Sequence, residues 1–260
     1  MGGFQKSKPP KLGIFYICEL YFITEVDRYF VMNPTPKKVT VIEQLISDIH
    51  NYNINHHTRE LYLHAHFDSD GDYVDHKMSV TFVKNINLLD SQNNKNILVH
   101  MQTNGGSWGD GMSIFDSVRF IKSPVTILAY SQASSMSGII LQAADKRIMT
   151  QDCELMIHYG SINMDENALA AKSVIFHNEK NSKRMLEIFA KRAINGKYFQ
   201  DRSYNLRKTM SFIDSKIKQN SDWYLDAEES VYYGFADGIF GQKGFESFAK
   251  IRSGRKKINF

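Results

Sequence analysis

Cysteine is scarce in this 260-residue chain: only Cys18 and Cys153 occur, far apart and in no metal-ligand spacing. That excludes a disulfide framework and points to free thiols in a reducing compartment, which for this chain means the cytoplasm. An excess of either charge is missing too. Lys and Arg total 32 against 28 Asp and Glu, a net charge of +4, which argues against a dedicated nucleic-acid binder. Long apolar runs are also absent. The best of them, "LGIFYICELYFI", is too short to span a bilayer, carries Glu19 at its middle, and precedes no small-residue cleavage site. It reads as part of an amino-terminal arm over residues 1–40, and no membrane partner is expected. No repeat, low-complexity tract or Pro/Gly/Ser linker divides the remainder.

What is present is an ordinary globular composition, 42% hydrophobic and 23% charged, on a chain long enough to bury a sizeable core. Val41, Leu45, Ile46 and Ile49 share one face of a short helix, and "RELYLHAHF" alternates like a strand closed by a turn at "DSDGD". Val74, Met78, Phe82, Ile86 and Leu89 recur at helical spacing. "NILVHMQT" then reads as a buried strand, "MSIFDSVRFIK" as a helix, "PVTILAY" as a strand, "MSGIILQAAD" as a helix and "ELMIHYG" as the next strand. Such alternation predicts an α/β fold with a mostly parallel, helix-covered sheet. Beyond Met164 the chain turns polar and helical, to about Asn195 and again over Ser203–Asn220. These helices, about 165–220, are expected to project from the core and meet another subunit. The basic end over 246–260, with "KIRSGRKKINF", reads as a solvated tail.

Three features carry candidate chemistry. The loop "NGGSWGDG" sits between a buried strand and a helix, where adjacent glycines let the backbone aim N–H groups outward. It lacks the lysine–serine/threonine pair of a phosphate-binding loop and the glycine spacing of a dinucleotide fingerprint, so no nucleotide cofactor is expected. Second, Ser131, Ser134, Ser135 and Ser137 surround a helix start. A serine there is commonly an N-cap, yet the same place favours an alkoxide or oxyanion next to the helix's positive end. Third, nine histidines are available. His64 and His66 share one strand face, but no third ligand follows at sensible spacing, so no metal is expected. His158 ends an apolar strand 23 residues after Ser135, on the carboxyl-end side of the sheet where open α/β sheets place their sites. A nucleophilic serine needs such a base.

In one order, "TNGGSWGDGMSIFDSVRFIKSPV", "SQASSMSG", "ELMIHYG" and "YLDAEESVYYGFADGIF" closely resemble the proteolytic subunit of the Clp protease, in a divergent, phage-like form. The resemblance runs from about Val41 to Phe240, and the protease domain is taken as 41–245. It implies a crotonase-like spiral of ββα units with a projecting helical handle. It implies a serine endopeptidase that cuts unfolded protein chains through an acyl-enzyme, inside a homo-oligomer of two stacked heptameric rings fed by an ATP-driven (AAA+) unfoldase. Position by position, Ser135 matches the nucleophile and His158 the general base. The N–H groups of Gly106 and Met136 match the oxyanion hole.

The acid of the triad departs from the pattern. Counted back from "YLDAEE", the family's aspartate falls on Lys218, which cannot orient an imidazole as a carboxylate does. Asp222, Asn220 and Asp214 lie nearby, and Asp222 is taken as the candidate third member. A replacement acid, a Ser–His dyad, and a weak or inactive ring subunit with a structural role all remain open on sequence alone. The family's glycine two residues after the nucleophile is Ser137 here, and the proline leading its glycine loop is Asn104.

Overall fold

The computed structural model describes residues 39–64, 73–161 and 167–252. The apolar run of the amino-terminal arm, His66, the "DSDGD" turn and the end beyond Arg252 lie outside the described residues. The chain divides into a unit over Met1–Gln44 and another over Leu45–Phe260. Thr40 opens the first described helix with a capping box. Its Oγ1 accepts from the Glu43 N–H at 3.2 Å, and Glu43 Oε2 accepts from the Thr40 N–H at 2.8 Å. That helix, α1, spans Val41–Tyr52 and buries none of its residues.

The second unit is built on one mixed sheet. In chain order its strands are β1 (Ile54–Asn55), β2 (Glu60–Leu63), β3 (Ile97–Thr103), β4 (Val125–Ser134), β5 (Lys146–Met149), β6 (Glu154–Ile157), β7 (Trp223–Leu225) and β8 (Gly238–Ile239). The main path runs β1-β2-β3-β4-β5-β8, with β6 beside the end of β4 and β7 beside β6. All contacts from β2 through β8 along this path are parallel, as is β4 with β6, and only β1–β2 and β6–β7 are antiparallel. The helices are α2 (His76–Gln92), α3 (Trp108–Phe120), α4 (Met136–Ala143), α5 (Ala168–Ala193), α6 (Lys197–Asp201), α7 (Leu206–Asn220), α8 (Ala227–Tyr233) and α9 (Phe248–Ile251).

Both sheet faces are covered, which is why the central strands read as continuous apolar runs. Ile97, Val99, Met101, Val125, Ile127 and Ala129 face the main core, with Phe82, Phe115, Ile140 and Phe189. Alternate residues Leu98, Leu128 and Ile148 face the other side and meet Ile251. The basic tail therefore begins docked, contrary to its expectation as solvated. Ile251 is fully buried, its carbonyl accepts from Thr126 Oγ1 at 3.0 Å, and Arg252 pairs with Glu60. Charge density in that stretch masked a single apolar anchor.

Two further expectations need correction. β5 intervenes between the helix after Ser135 and the strand before His158. Its four residues, two of them charged, are too short to show a period. The polar helices also project less than expected. Met185, Ile188, Phe189, Ala190 and Ala193 bury the second half of α5, and Thr209, Ile213 and Ile217 bury one stripe of α7. Only the first half of α5, through Arg184, buries nothing. An apolar stripe at four-residue spacing is enough to dock a helix whose overall composition is polar.

Candidate active site

β4 is the element that builds the site, because its two ends serve different neighbours. Thr126–Ala129 pair with β5, whereas Gln132–Ser134 pair with β6. The chain then turns sharply into α4, and Ser135 occupies the turn at φ 56°, ψ −120°. A left-handed serine costs about 1–3 kcal/mol. It is held there by its N–H, which donates to the Met156 carbonyl of β6 at 2.9 Å, and by α4, all eight of whose residues are buried.

The four serines now separate. Ser135 stands at the N-cap of α4 but makes no capping hydrogen bond. Its Oγ lies 2.7 Å from His158 Nε2 instead. Ser137 is buried and donates to the Thr103 carbonyl at 2.8 Å, and Ser134 is buried at the end of β4. Ser131 takes φ 54°, where the β3–β4 register shifts.

His158 follows β6 directly, and the antiparallel partner of β6 decides what stands behind it. Leu155, Met156 and Ile157 face Leu225, Tyr224 and Trp223, so the next pair in register is His158 with Asp222. Asp222 Oδ1 lies 3.0 Å from His158 Nδ1. Ser135, His158 and Asp222 thus form one continuous hydrogen-bonded row. With Nδ1 donating to the carboxylate, Nε2 is left to accept from the serine hydroxyl, the tautomer a general base requires.

Lys218, where the count placed the acid, is elsewhere. Its Nζ binds Asp214 Oδ2 at 2.8 Å, one turn back along α7. The other oxygen of Asp214 accepts the hydroxyl of Tyr159, the residue after His158. Burial raises the Tyr159 phenol and the Asp214 hydrogen bond raises it further, so it stays protonated. Asp214 is pushed up by its own burial, yet hydrogen bonds from Lys218 and Tyr159 outweigh this and hold the carboxyl below its usual range. Asp214 is therefore fully engaged, and of the nearby acids Asp222 alone meets the imidazole. Asn220 is also turned elsewhere, donating to the Lys216 carbonyl at 2.8 Å.

The glycine loop lies against the serine turn. A Cβ on Gly105, whose φ is 90°, would fall 2.6 Å from the Ser134 carbonyl and 2.7 Å from the Met136 nitrogen. Gly106 forms a parallel bridge with Val74: the Val74 N–H donates to the Gly105 carbonyl at 2.7 Å, and the Ser107 N–H to the Val74 carbonyl at 2.9 Å. In a parallel bridge those bonds use the groups flanking Gly106, so its own N–H points to the opposite side. The first N–H of α4, on Met136, is one of the helix's orphan donors. Both belong to residues that line the same cleft as Ser135. The later half of the loop is helix rather than loop: α3 starts at Trp108, with Ser107 as its N-cap.

That cleft has a volume of about 530 Å³. Met156, Ile139 and Met185 give it an apolar stretch, while Asn178, Asn181 and Ser182 present one polar face of α5. Tyr159 carried no sequence signal of its own, and Val74, expected on a helix with Met78 and Phe82, bridges to Gly106 before that helix starts. Only the strand register of Ile157 with Trp223 would have paired His158 with Asp222. Cys153, the one cysteine among the described residues, is no rival nucleophile, since burial pushes its thiol up to about 12. Among the described residues no helix is long and apolar enough to cross a membrane.

The family profile for "Clp protease" matches residues 67–243. The ATP-dependent Clp protease proteolytic subunit of Streptococcus equi subsp. equi is 30% identical over 175 residues, covering 64% of this chain and 80% of its own. The proteins of that name from Streptococcus gordonii and from Streptococcus pyogenes serotype M1 are 30% and 29% identical over the same length.

Proposed function

The chain belongs to the Clp protease family, and from that premise we propose that it is a serine endopeptidase hydrolysing unfolded protein chains. Membership makes it a Clp-type peptidase of mixed α/β fold; the serine mechanism is our reading of the site. One observation carries it: Ser135 Oγ, His158 and Asp222 are joined through hydrogen bonds of 2.7 and 3.0 Å at the wall of an open cleft.

In this mechanism His158 Nε2 takes the Ser135 proton as Oγ attacks the scissile carbonyl. Asp222 holds the imidazole in the required tautomer and stabilises the imidazolium that forms. The developing oxyanion is met by the N–H groups of Gly106 and Met136, aided by the positive end of α4. The imidazolium then protonates the leaving amine, and a water deprotonated by His158 frees the acyl-enzyme. An extended substrate would add as a strand beside Gly105–Gly106, on the edge that Val74 leaves open.

Assembly as two stacked heptameric rings, feeding by an ATP-driven unfoldase and a cytoplasmic location complete the proposal. The division into an arm over 1–40 and a protease domain over 41–245 belongs to it as well. The test is degradation of a permanently unfolded, fluorescently labelled protein. Wild type should release short peptides and Ser135→Ala none. Equal release by both would remove Ser135 from the mechanism.

A further inference from the structure

Tyr159, Asp214 and Lys218 form a hydrogen-bonded chain beside the site that the mechanism above does not use. We infer that this chain is a positioning device: it ties the segment carrying His158 to α7, the helix whose end carries Asp222. The inference rests on the serine-peptidase reading and deepens it.

The case comes from where each residue is anchored. His158 lies just past the end of β6, where the backbone is irregular and Gly160 takes φ 79°. Asp222 lies just past the end of α7, after Ser221 at φ 63°. Both partners of the 3.0 Å His158–Asp222 contact therefore sit on short irregular segments, and three β6–β7 pairs join these segments on one side only. The Tyr159 hydroxyl donating to Asp214 Oδ1 closes the other side. It links the residue directly after the imidazole to the helix that delivers the carboxylate.

Lys218 has a part in this. Its Nζ, 2.8 Å from Asp214 Oδ2, fixes the carboxylate rotamer that meets Tyr159 and compensates its charge. The same pairing directs a cation from the last turn of α7 away from Asp222, four residues on. A half-buried carboxylate with a lowered pKa and a phenol with a raised one are the states in which this bond is strongest.

Such a chain acts through geometry. Misplacing a catalytic group by about 1 Å costs up to about 10²-fold in rate. The experiment measures kcat and KM on a fluorogenic peptide, with kcat expressed per Ser135 titrated by a fluorophosphonate. Tyr159→Phe keeps the ring and removes only the hydroxyl. Asp214→Ala removes the acceptor, and Asp214→Asn keeps an acceptor oxygen while removing the charge. We expect kcat per titrated site to fall about tenfold in Tyr159→Phe and Asp214→Ala, with KM within twofold of wild type. Asp214→Asn should recover part of that loss, since it keeps an acceptor for Tyr159 but loses the charge that Lys218 compensates. A role in folding alone would lower the titrated fraction and leave kcat per site unchanged. Wild-type kcat per site in Tyr159→Phe, or Asp214→Asn as impaired as Asp214→Ala, overturns the inference while the peptidase reading stands. A wild type that takes no fluorophosphonate overturns the reading itself, and the inference with it.

Discussion

Replacing Asp222 by Asn tests how much an exposed acid contributes to this site. The amide keeps an oxygen 3.0 Å from His158 Nδ1, so the ring orientation is preserved and the loss is mainly that of charge. Asp222 has 46% of its side chain exposed and His158 23%. The pair thus lies between the two screening limits, about 1 kcal/mol in water and about 4 kcal/mol near a protein surface. A loss of about 2–3 kcal/mol in transition-state stabilisation follows, or roughly 30- to 150-fold in kcat/KM. That is well short of the roughly 10⁴-fold cost of the same change at a buried triad acid. The assay is hydrolysis of a fluorogenic peptide, normalised to the Ser135 sites titrated. A loss under threefold would mean Asp222 does not stabilise the imidazolium. A loss of about 10⁴ would mean that the amide turns its NH2 toward Nδ1 and fixes the wrong tautomer, so that more than charge is lost.

Other expectations follow from the same structure. Gly105→Ala should all but abolish activity while leaving the fold intact by circular dichroism, because its Cβ would meet the Ser134 carbonyl at 2.6 Å; retained turnover would mean the glycine loop is not held against the serine turn. Phe189→Ala, fully buried in the main core, should lower stability by about 3–5 kcal/mol in urea unfolding. Arg147 contacts Asp237, the Gln142 side chain and the Gly234 carbonyl, so Arg147→Ala should cost about 3 kcal/mol by stranding those groups. His100 is buried against Tyr62 and Tyr130, and burial lowers its pKa below the ordinary 6.5. Its stability contribution is present above about pH 6.5 and is lost as pH falls through the folded-state value, where the folded chain resists a proton that the unfolded chain accepts. His100→Phe should flatten the fall in melting temperature between about pH 7 and pH 5; an unchanged profile would assign that fall to other groups.

How far the sequence alone reached depended on whether a feature was local. The helix His76–Gln92 and the strands around Leu98 and Ile127 were legible because period and apolarity are set within a few residues, although the helical period ran on to Val74, which bridges to Gly106 instead. Ser135 and His158 stood out because a helix start and a strand end are local as well. Asp222 was harder to place. Its partnership with His158 depends on the register of β6 with β7, between segments 64 residues apart in the chain. Counting back along a divergent helix gave Lys218 instead, and only the side-chain contact with Asp214 explains that lysine. The Tyr159–Asp214 bond and the docking of Ile251 are long-range in the same sense. Each depends on a single side chain, and no period announces a single side chain.

The most direct measurement is intact-mass labelling with a fluorophosphonate of the wild type, Ser135→Ala and His158→Ala. We expect one adduct on the wild type and none on either variant, which would establish Ser135 as a nucleophile activated by His158. An adduct that persists in Ser135→Ala, or its absence from a well-folded wild type, would contradict the assignment.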